Sequence, residues 1–217
     1  MNGNLSAEKF QHIVIEGPIG VGKSSLTQKL AEHLNADSLL EKPDDNPFLI
    51  RFYQDPQRYA LSTQLFFLFQ RLDQLRDGMQ ANLFKSRLIA DFLLDKDPLF
   101  ASLTLDEAEL KLYRQIYEHQ RLKIPKPDLV IYLQATAQSL LERVQKRAKS
   151  YESQISLEYL QQLNNAYSHF FYHYEETPLL IINTDHLNPI DRTEDFELLL
   201  HQIDTMKGRK EFFNCRN

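Results

Sequence analysis

Apolar positions along the chain switch repeatedly between a short continuous run and a helical spacing. Ile13-Val14-Ile15 is a run of the first kind, so His12 to Ile15 reads as a buried strand, and Leu26, Leu30 and Leu34 recur four apart across a helix from about Lys23 to Leu34 that Asn35 closes. A second short strand, Ser38 to Glu41, ends in a carboxylate before Pro43, Asn46 and Pro47 break the chain. From about Gln57 to Asp77, Leu61, Leu65, Phe66, Leu68, Phe69, Leu72 and Leu75 predict a helix apolar on nearly two sides and hence deeply buried, with Gly78 as its end. Arg87 to Asp91 is a third strand that again finishes in an acid. Thr104-x-x-Glu107 has the form of a capping box before a helix running to about Lys123, which Pro125 and Pro127 stop. Leu129 to Leu133 is the clearest buried strand, Thr136 can cap the helix after it, and Ser156 can cap the next, through Leu160, Leu163 and Tyr167 to Tyr174. Leu179 to Asn183 makes a fifth strand, Asp191 to Met206 a final helix, and Lys207 to Asn217 a charged tail expected to fray. Strands alternating with helices predict an α/β fold, a parallel five-stranded sheet with helices on both faces joined by right-handed crossovers.

Between the first strand and its helix lies Glu16-Gly17-Pro18-Ile19-Gly20-Val21-Gly22-Lys23-Ser24-Ser25. Gly17, Gly22, Lys23 and Ser24 fill the pattern G-x-x-x-x-G-K-[ST] of a phosphate-binding loop. Amide groups can converge on a phosphate only where no Cβ blocks the turn, and the helix that follows adds the positive end of its dipole. The chain has Gly 6, and three of them, Gly17, Gly20 and Gly22, fall in this one loop, which argues against ordinary turn glycines. Lys23 supplies a fixed cation and Ser24 a hydroxyl for Mg²⁺.

Composition narrows the rest. A chain of 217 residues that is 42% hydrophobic can bury one core as a single domain, and a net charge of -5 opposes nonspecific nucleic-acid binding. A single cysteine, Cys215, fits a reducing compartment. Met1 to Gln11 is polar, and no apolar run approaches the ~18 residues of a membrane span, so the expected location is the cytoplasm. Gln64 and Arg71 lie seven apart on one face of the buried helix, where Arg71 must meet a polar ligand, solvent or an acid such as Asp91. Arg143, Lys146, Arg147 and Lys149 crowd seven residues, either as a solvated helix end or as a lid, about 146–156, that brings cations to a migrating phosphoryl group. His169 and His173 are four apart but lack a third ligand at metal spacing.

Glu41 with Asn46-Pro47-Phe48, then Phe52-Tyr53-x-Asp55-Pro56-x-x-Tyr59-Ala60-x-x-x-Gln64 and Arg71, resembles the deoxyribonucleoside kinases, notably the bacterial deoxyadenosine and deoxyguanosine kinases. Glu142-Arg143-Val144-x-Lys146-Arg147-Ala148-Lys149-Ser150-x-Glu152 looks like the lid of that family, and the likeness covers about residues 12 to 200. It implies a P-loop kinase fold, ATP and Mg²⁺ as cofactors, a small nucleoside as partner, a homodimer and a place in nucleotide salvage, with a purine preferred. Residue by residue it implies Glu41 as the general base on the 5′-hydroxyl, Tyr53 and Glu152 on the sugar 3′-hydroxyl, Gln64 on the base edge and Arg71 in support of base recognition. Gly17, Gly20, Val21, Gly22, Lys23, Ser24 and Ser25 would bind ATP together with Arg143, Arg147 and Lys149, while Asp91 would join Ser24 at the metal. Lys149 stands where the family usually has arginine. After the third strand the family has an acid followed by arginine and serine, but here the order is Asp91-Phe92-Leu93, which leaves Arg87, Lys96 or Arg71 to compensate. Two other readings stay open: a nucleoside-monophosphate kinase, whose anionic acceptor Glu41 would repel, and a nucleotide-binding protein in which Phe92 has cost turnover.

Overall fold

The computed structural model describes residues 9–81, 87–121, 124–149, 152 and 154–213. Cys215, most of Met1 to Gln11, the helix end at Lys123 and the stretch Ser150-Tyr151 lie outside them. Among the described residues one six-stranded sheet, all parallel, runs in the order β2-β3-β1-β4-β5-β6. Its strands are β1 (His12–Glu16), β2 (Asp37–Leu39), β3 (Leu88–Ala90), β4 (Leu129–Gln134), β5 (Leu179–Asn183) and β6 (Lys210–Phe213).

The sixth strand is a correction. Lys210 to Phe213, expected to fray, pairs in parallel with β5 from Leu179↔Lys210 to Ile182↔Phe213. Four residues, Lys210-Glu211-Phe212-Phe213, with none of them buried, leave no apolar period to read, because the ladder of such an edge strand is made by the backbone alone.

The helices are α1 (Lys23–Leu34), α2 (Leu49–Gln54), α3 (Pro56–Ala81), α4 (Asp97–Thr104), α5 (Glu107–Arg121), α6 (Ala137–Arg147), α7 (Leu157–Tyr172) and α8 (Thr193–Thr205). One face of the sheet is covered by Leu26, Leu30, Leu140 and Leu199, from α1, α6 and α8. Leu163, Tyr167 and Phe171 of α7 cover the other, stacking on Tyr132 of β4. A third cluster, Leu68, Leu72, Leu75, Phe92, Tyr113 and Tyr117, joins α3 and α5 to the end of β3.

Three local expectations shift. Gly78 does not end its helix, since α3 continues to Ala81 and packs this position near the methyl groups of Leu39 and Leu88. The capping box belongs to Asp106 and Glu109: the amide of Glu109 donates to Asp106 Oδ1 at 2.9 Å and that of Asp106 to Glu109 Oε2 at 3.4 Å. Thr104 instead closes α4, its hydroxyl donating to the Phe100 carbonyl. Glu41 lies two residues past the end of β2 rather than on it. Thr136 and Ser156 cap α6 and α7 as their positions predict.

Candidate active site

The carboxyl ends of β1, β2 and β3 deliver three acids to one crevice. This is where an open parallel sheet leaves room for a ligand, beside a strand whose neighbours connect in opposite directions. Glu16 closes β1 and the phosphate-binding loop follows it at once. Gly17, at φ 155°, has no room for a side chain, because a Cβ there would lie 2.5 Å from the Leu133 carbonyl oxygen. Gly22, at φ 102°, is the residue from which α1 departs. Lys23 Nζ reaches back inside the loop to donate to the carbonyls of Gly17 at 2.8 Å and Pro18 at 3.3 Å. Burial lowers its pKa and the neighbouring Lys96 lowers it further.

Ser24 Oγ donates to Asp91 Oδ2 at 2.5 Å, so the two proposed metal ligands are adjacent. Oxygen donors at the mouth of a phosphate loop fit Mg²⁺, which is held by one or two protein groups and completes its shell with phosphate oxygens and water. Desolvation raises the Asp91 pKa. The other oxygen of Asp91 accepts the Glu41 amide at 2.6 Å, which sets where Glu41 stands.

Glu41 is held by cations. Arg71 donates to its Oε1 from Nε at 2.7 Å and approaches with Nη2 at 2.5 Å, and Lys96 Nζ lies 3.4 Å away. Burial alone would raise this carboxyl, yet Arg71, Lys96 and Lys23 together bring it down to about 2. Arg71 therefore meets acids as one sequence reading allowed, but they are Glu41 and, at 2.5 Å, Asp97, not Asp91. Phe67 lies 5.0 Å beneath the guanidinium.

A cavity of about 160 Å³ opens beside these groups, bordered by Tyr53, Gln64, Arg71, Glu152 and Tyr167. Gln64 Nε2 donates to Thr104 Oγ1 at 3.3 Å. A second hollow of about 220 Å³ is lined by Gly20, Gly22, Lys23, Ser24, Ser25, Arg143 and Arg147. Gly20, Lys23, Ser24 and Arg147 border both. Val21 borders neither: its side chain is buried in the core and its amide donates to the Pro18 carbonyl. Arg143 donates to the Thr184 hydroxyl and carbonyl, each at 2.9 Å. Arg147 makes a two-pronged ion pair with Glu152, and Lys149 bonds Asp44 at 2.9 Å.

Two residues carry more of this site than their sequence positions suggest. Glu16 is fully buried and accepts the amides of Gly17 and Leu93, each at 2.8 Å, and the Tyr167 hydroxyl at 3.0 Å. Lys96 is 2% exposed and bridges Glu16, at 3.1 Å, to Glu41. The available signal was Asp95-Lys96-Asp97, a charged triplet between the apolar stretches Phe92-Leu93-Leu94 and Leu99-Phe100-Ala101. Arg87 is at the opposite end of the sheet, donating to the Leu34 carbonyl.

A parallel sheet with this loop and an acid-lined crevice beside it defines a P-loop nucleotide-binding protein. The chain belongs to the deoxynucleoside kinase family, whose family model, described as deoxynucleoside kinase, matches residues 13–207. It is similar to a deoxyguanosine kinase of Bacillus subtilis, 36% identical over 156 residues that cover 71% of this chain and 75% of the relative. A deoxyadenosine kinase of Lactobacillus acidophilus is 33% identical over 210 residues, covering 90% of this chain and 95% of that one. The fold superposes on a solved deoxyadenosine kinase from M. mycoides with bound dCTP at a TM-score of 0.76 and 25% identity, over 90% of this chain and 100% of that one. The protein is thus a deoxynucleoside kinase.

Proposed function

We propose that this kinase transfers the γ-phosphoryl group of ATP to the 5′-hydroxyl of a purine deoxynucleoside, acting in the cytoplasm as a homodimer in nucleotide salvage. The observation that carries the reading is the Glu41 carboxylate, kept ionised by Arg71 and Lys96 at the seam between the 160 Å³ cavity and the phosphate loop. The nucleoside sits in that cavity, with Gln64 on its base edge, Tyr53 and Glu152 on the 3′-hydroxyl, and Arg71 supporting base recognition through Asp97. ATP phosphates lie in the loop against Lys23, Arg143 and Arg147, and the segment of about 146–156 serves as the lid. Ser24 and Asp91 would hold Mg²⁺, which when bound spreads the charge of the phosphate oxygens.

Glu41 orients the 5′-hydroxyl toward phosphorus. The O5′–P bond forms as the bond from phosphorus to the β–γ bridging oxygen breaks, ADP leaves with that electron pair, and the hydroxyl proton passes to Glu41. A carboxylate this acidic is a weak base, which suits phosphoryl transfer: its loose transition state needs the proton removed late, after most of the P–O bond to ADP is gone. A monophosphate acceptor would bring its own negative charge against Glu41, which disfavours nucleoside-monophosphate kinase activity. The purine preference rests on the named relatives, which are deoxyguanosine and deoxyadenosine kinases. A coupled ADP-release assay with the four deoxynucleosides and their monophosphates tests all of this. The expected outcome is fastest turnover with deoxyguanosine or deoxyadenosine and none with monophosphates; preference for a monophosphate would overturn the reading. Light scattering at twice the chain mass checks the dimer.

A further inference from the structure

We propose that Lys96 is a catalytic cation of this kinase, supplying from the turn before α4 the positive charge that Phe92 cannot supply. The inference rests on the function proposed above and deepens it. Phe92 is 1% exposed and packed with Leu68, Leu72 and Tyr113, so the residue directly after the β3 acid faces core and not substrate. Two positions later the chain enters a 3-10 turn, Leu94–Lys96, which directs Lys96 into the nucleoside cavity.

A lysine this deeply buried is costly unless its charge is paired, and Glu16 alone does not account for its position. Three donors, the amides of Gly17 and Leu93 and the Tyr167 hydroxyl, already satisfy both oxygens of Glu16. Lys96 adds a fourth contact and at the same time stands 3.4 Å from Glu41 Oε1. The groups around its ammonium are Glu16 of β1, Glu41 after β2, Arg71 of α3, Asp97 of α4 and, across the cavity, Lys23 of α1.

The position of Lys23, which lines the same cavity as Lys96, is the informative point. Two ammonium groups from different elements converge on one cavity and repel each other, a cost that falls when an anion stands between them. Phosphoryl transfer provides that anion: as the O5′–P bond forms and the bond to ADP breaks, charge spreads over the oxygens of the migrating group, next to Glu41 and the loop. Glu16 is then a positioning residue, fixing Lys96 from beneath the loop.

The experiment is Lys96→Met, which keeps the apolar stem and removes the charge, assayed for ADP release with separate kcat and KM for deoxynucleoside and ATP. Loss of one fixed charge at a transition state lowers turnover by about a hundredfold or more. The expected result is that fall in kcat with the deoxynucleoside KM within about threefold of the parent. Partial recovery of Lys96→Ala by added ethylammonium, but not by ethanol, is expected alongside. Should Lys96→Met not fold, Lys96→Gln, which keeps a polar hydrogen-bond donor beside Glu16 while removing the charge, serves in its place. An active parent whose folded variant keeps parental kcat would overturn the role of Lys96, and so would a loss confined to KM. A parent that phosphorylates no deoxynucleoside would instead overturn the function on which the inference rests.

Discussion

Phe92 and Glu41 sit at the ends of neighbouring strands and have opposite tolerances. Phe92 is enclosed by α3 and α5, and the nearby carboxylate of Asp95 is already engaged by Arg121 at 3.3 Å. A guanidinium placed there is buried without a partner, which costs several kcal/mol. Phe92→Arg should therefore melt roughly 6–12 °C below the parent, since about 1 kcal/mol moves the midpoint of a chain this size by ~2–4 °C. A stable variant with faster turnover in the ADP-release assay would show that the pocket accepts the cation. Glu41→Gln keeps shape and loses charge: kcat should fall at least about a hundredfold with little change in nucleoside affinity, a general base being worth roughly 10² to 10⁴. A pure KM effect would make Glu41 a binding residue. Both residues were singled out in the sequence, Glu41 as a strand-terminal acid, which has a known place in such sheets, and Phe92 as the departure from the arginine of the resembled family. Arg71 and Lys96 were named there as stand-ins for the missing arginine, alongside Arg87, but not as partners of Glu41, since their approach to it joins positions remote along the chain.

Among the elements, α3 shows what periodicity conveys and where it stops. Its body, from about Gln57 to Asp77, was legible from its apolar spacing, but the end of the 26-residue helix was misjudged at Gly78 because a glycine resembles a terminator unless packing continues the helix past it. At that position a Cβ would meet only methyl carbons of Leu39 and Leu88 at 3.7 Å, which is ordinary contact. Gly78→Ala should thus stabilise the protein by about 0.5–1 kcal/mol, read as a raised urea midpoint with unchanged m; a lowered midpoint would mean that the helix needs glycine there. The short helices α2 and α4 escaped the sequence reading because six and eight residues give too little repeat to establish a period. Strand β6 escaped for the reason that edge ladders leave little mark on side chains.

For the whole molecule, the consequence of burying this site is a connected set of charges, Glu16, Lys96, Glu41, Arg71 and Asp97, joined across four elements. Asp97 bears the desolvation least well: burial raises its carboxyl to about 6 although Arg71 and Lys96 oppose the rise, and its Oδ2 has no protein partner among the described residues. The folded state thus holds a proton that the unfolded chain, at the ordinary value of 3.8, has released, and stability falls as pH rises from about 4 through 6. Measured by urea unfolding, the stability of the parent relative to Asp97→Asn should drop by on the order of 3 kcal/mol between about pH 4 and 7. A difference independent of pH would place the Asp97 pKa near its ordinary value. The sequence by itself determined the phosphate loop, the alternation of strand and helix, the strand-end acids and the family likeness, since each depends on neighbours within a few tens of residues. Only the tertiary structure decided that Lys96 faces Glu41, that Arg71 joins Glu41 to Asp97 and that Phe92 belongs to the core. A buried charge is stabilised by whichever groups lie within a few ångströms of it, and the strand order that brought these together is carried by no local pattern.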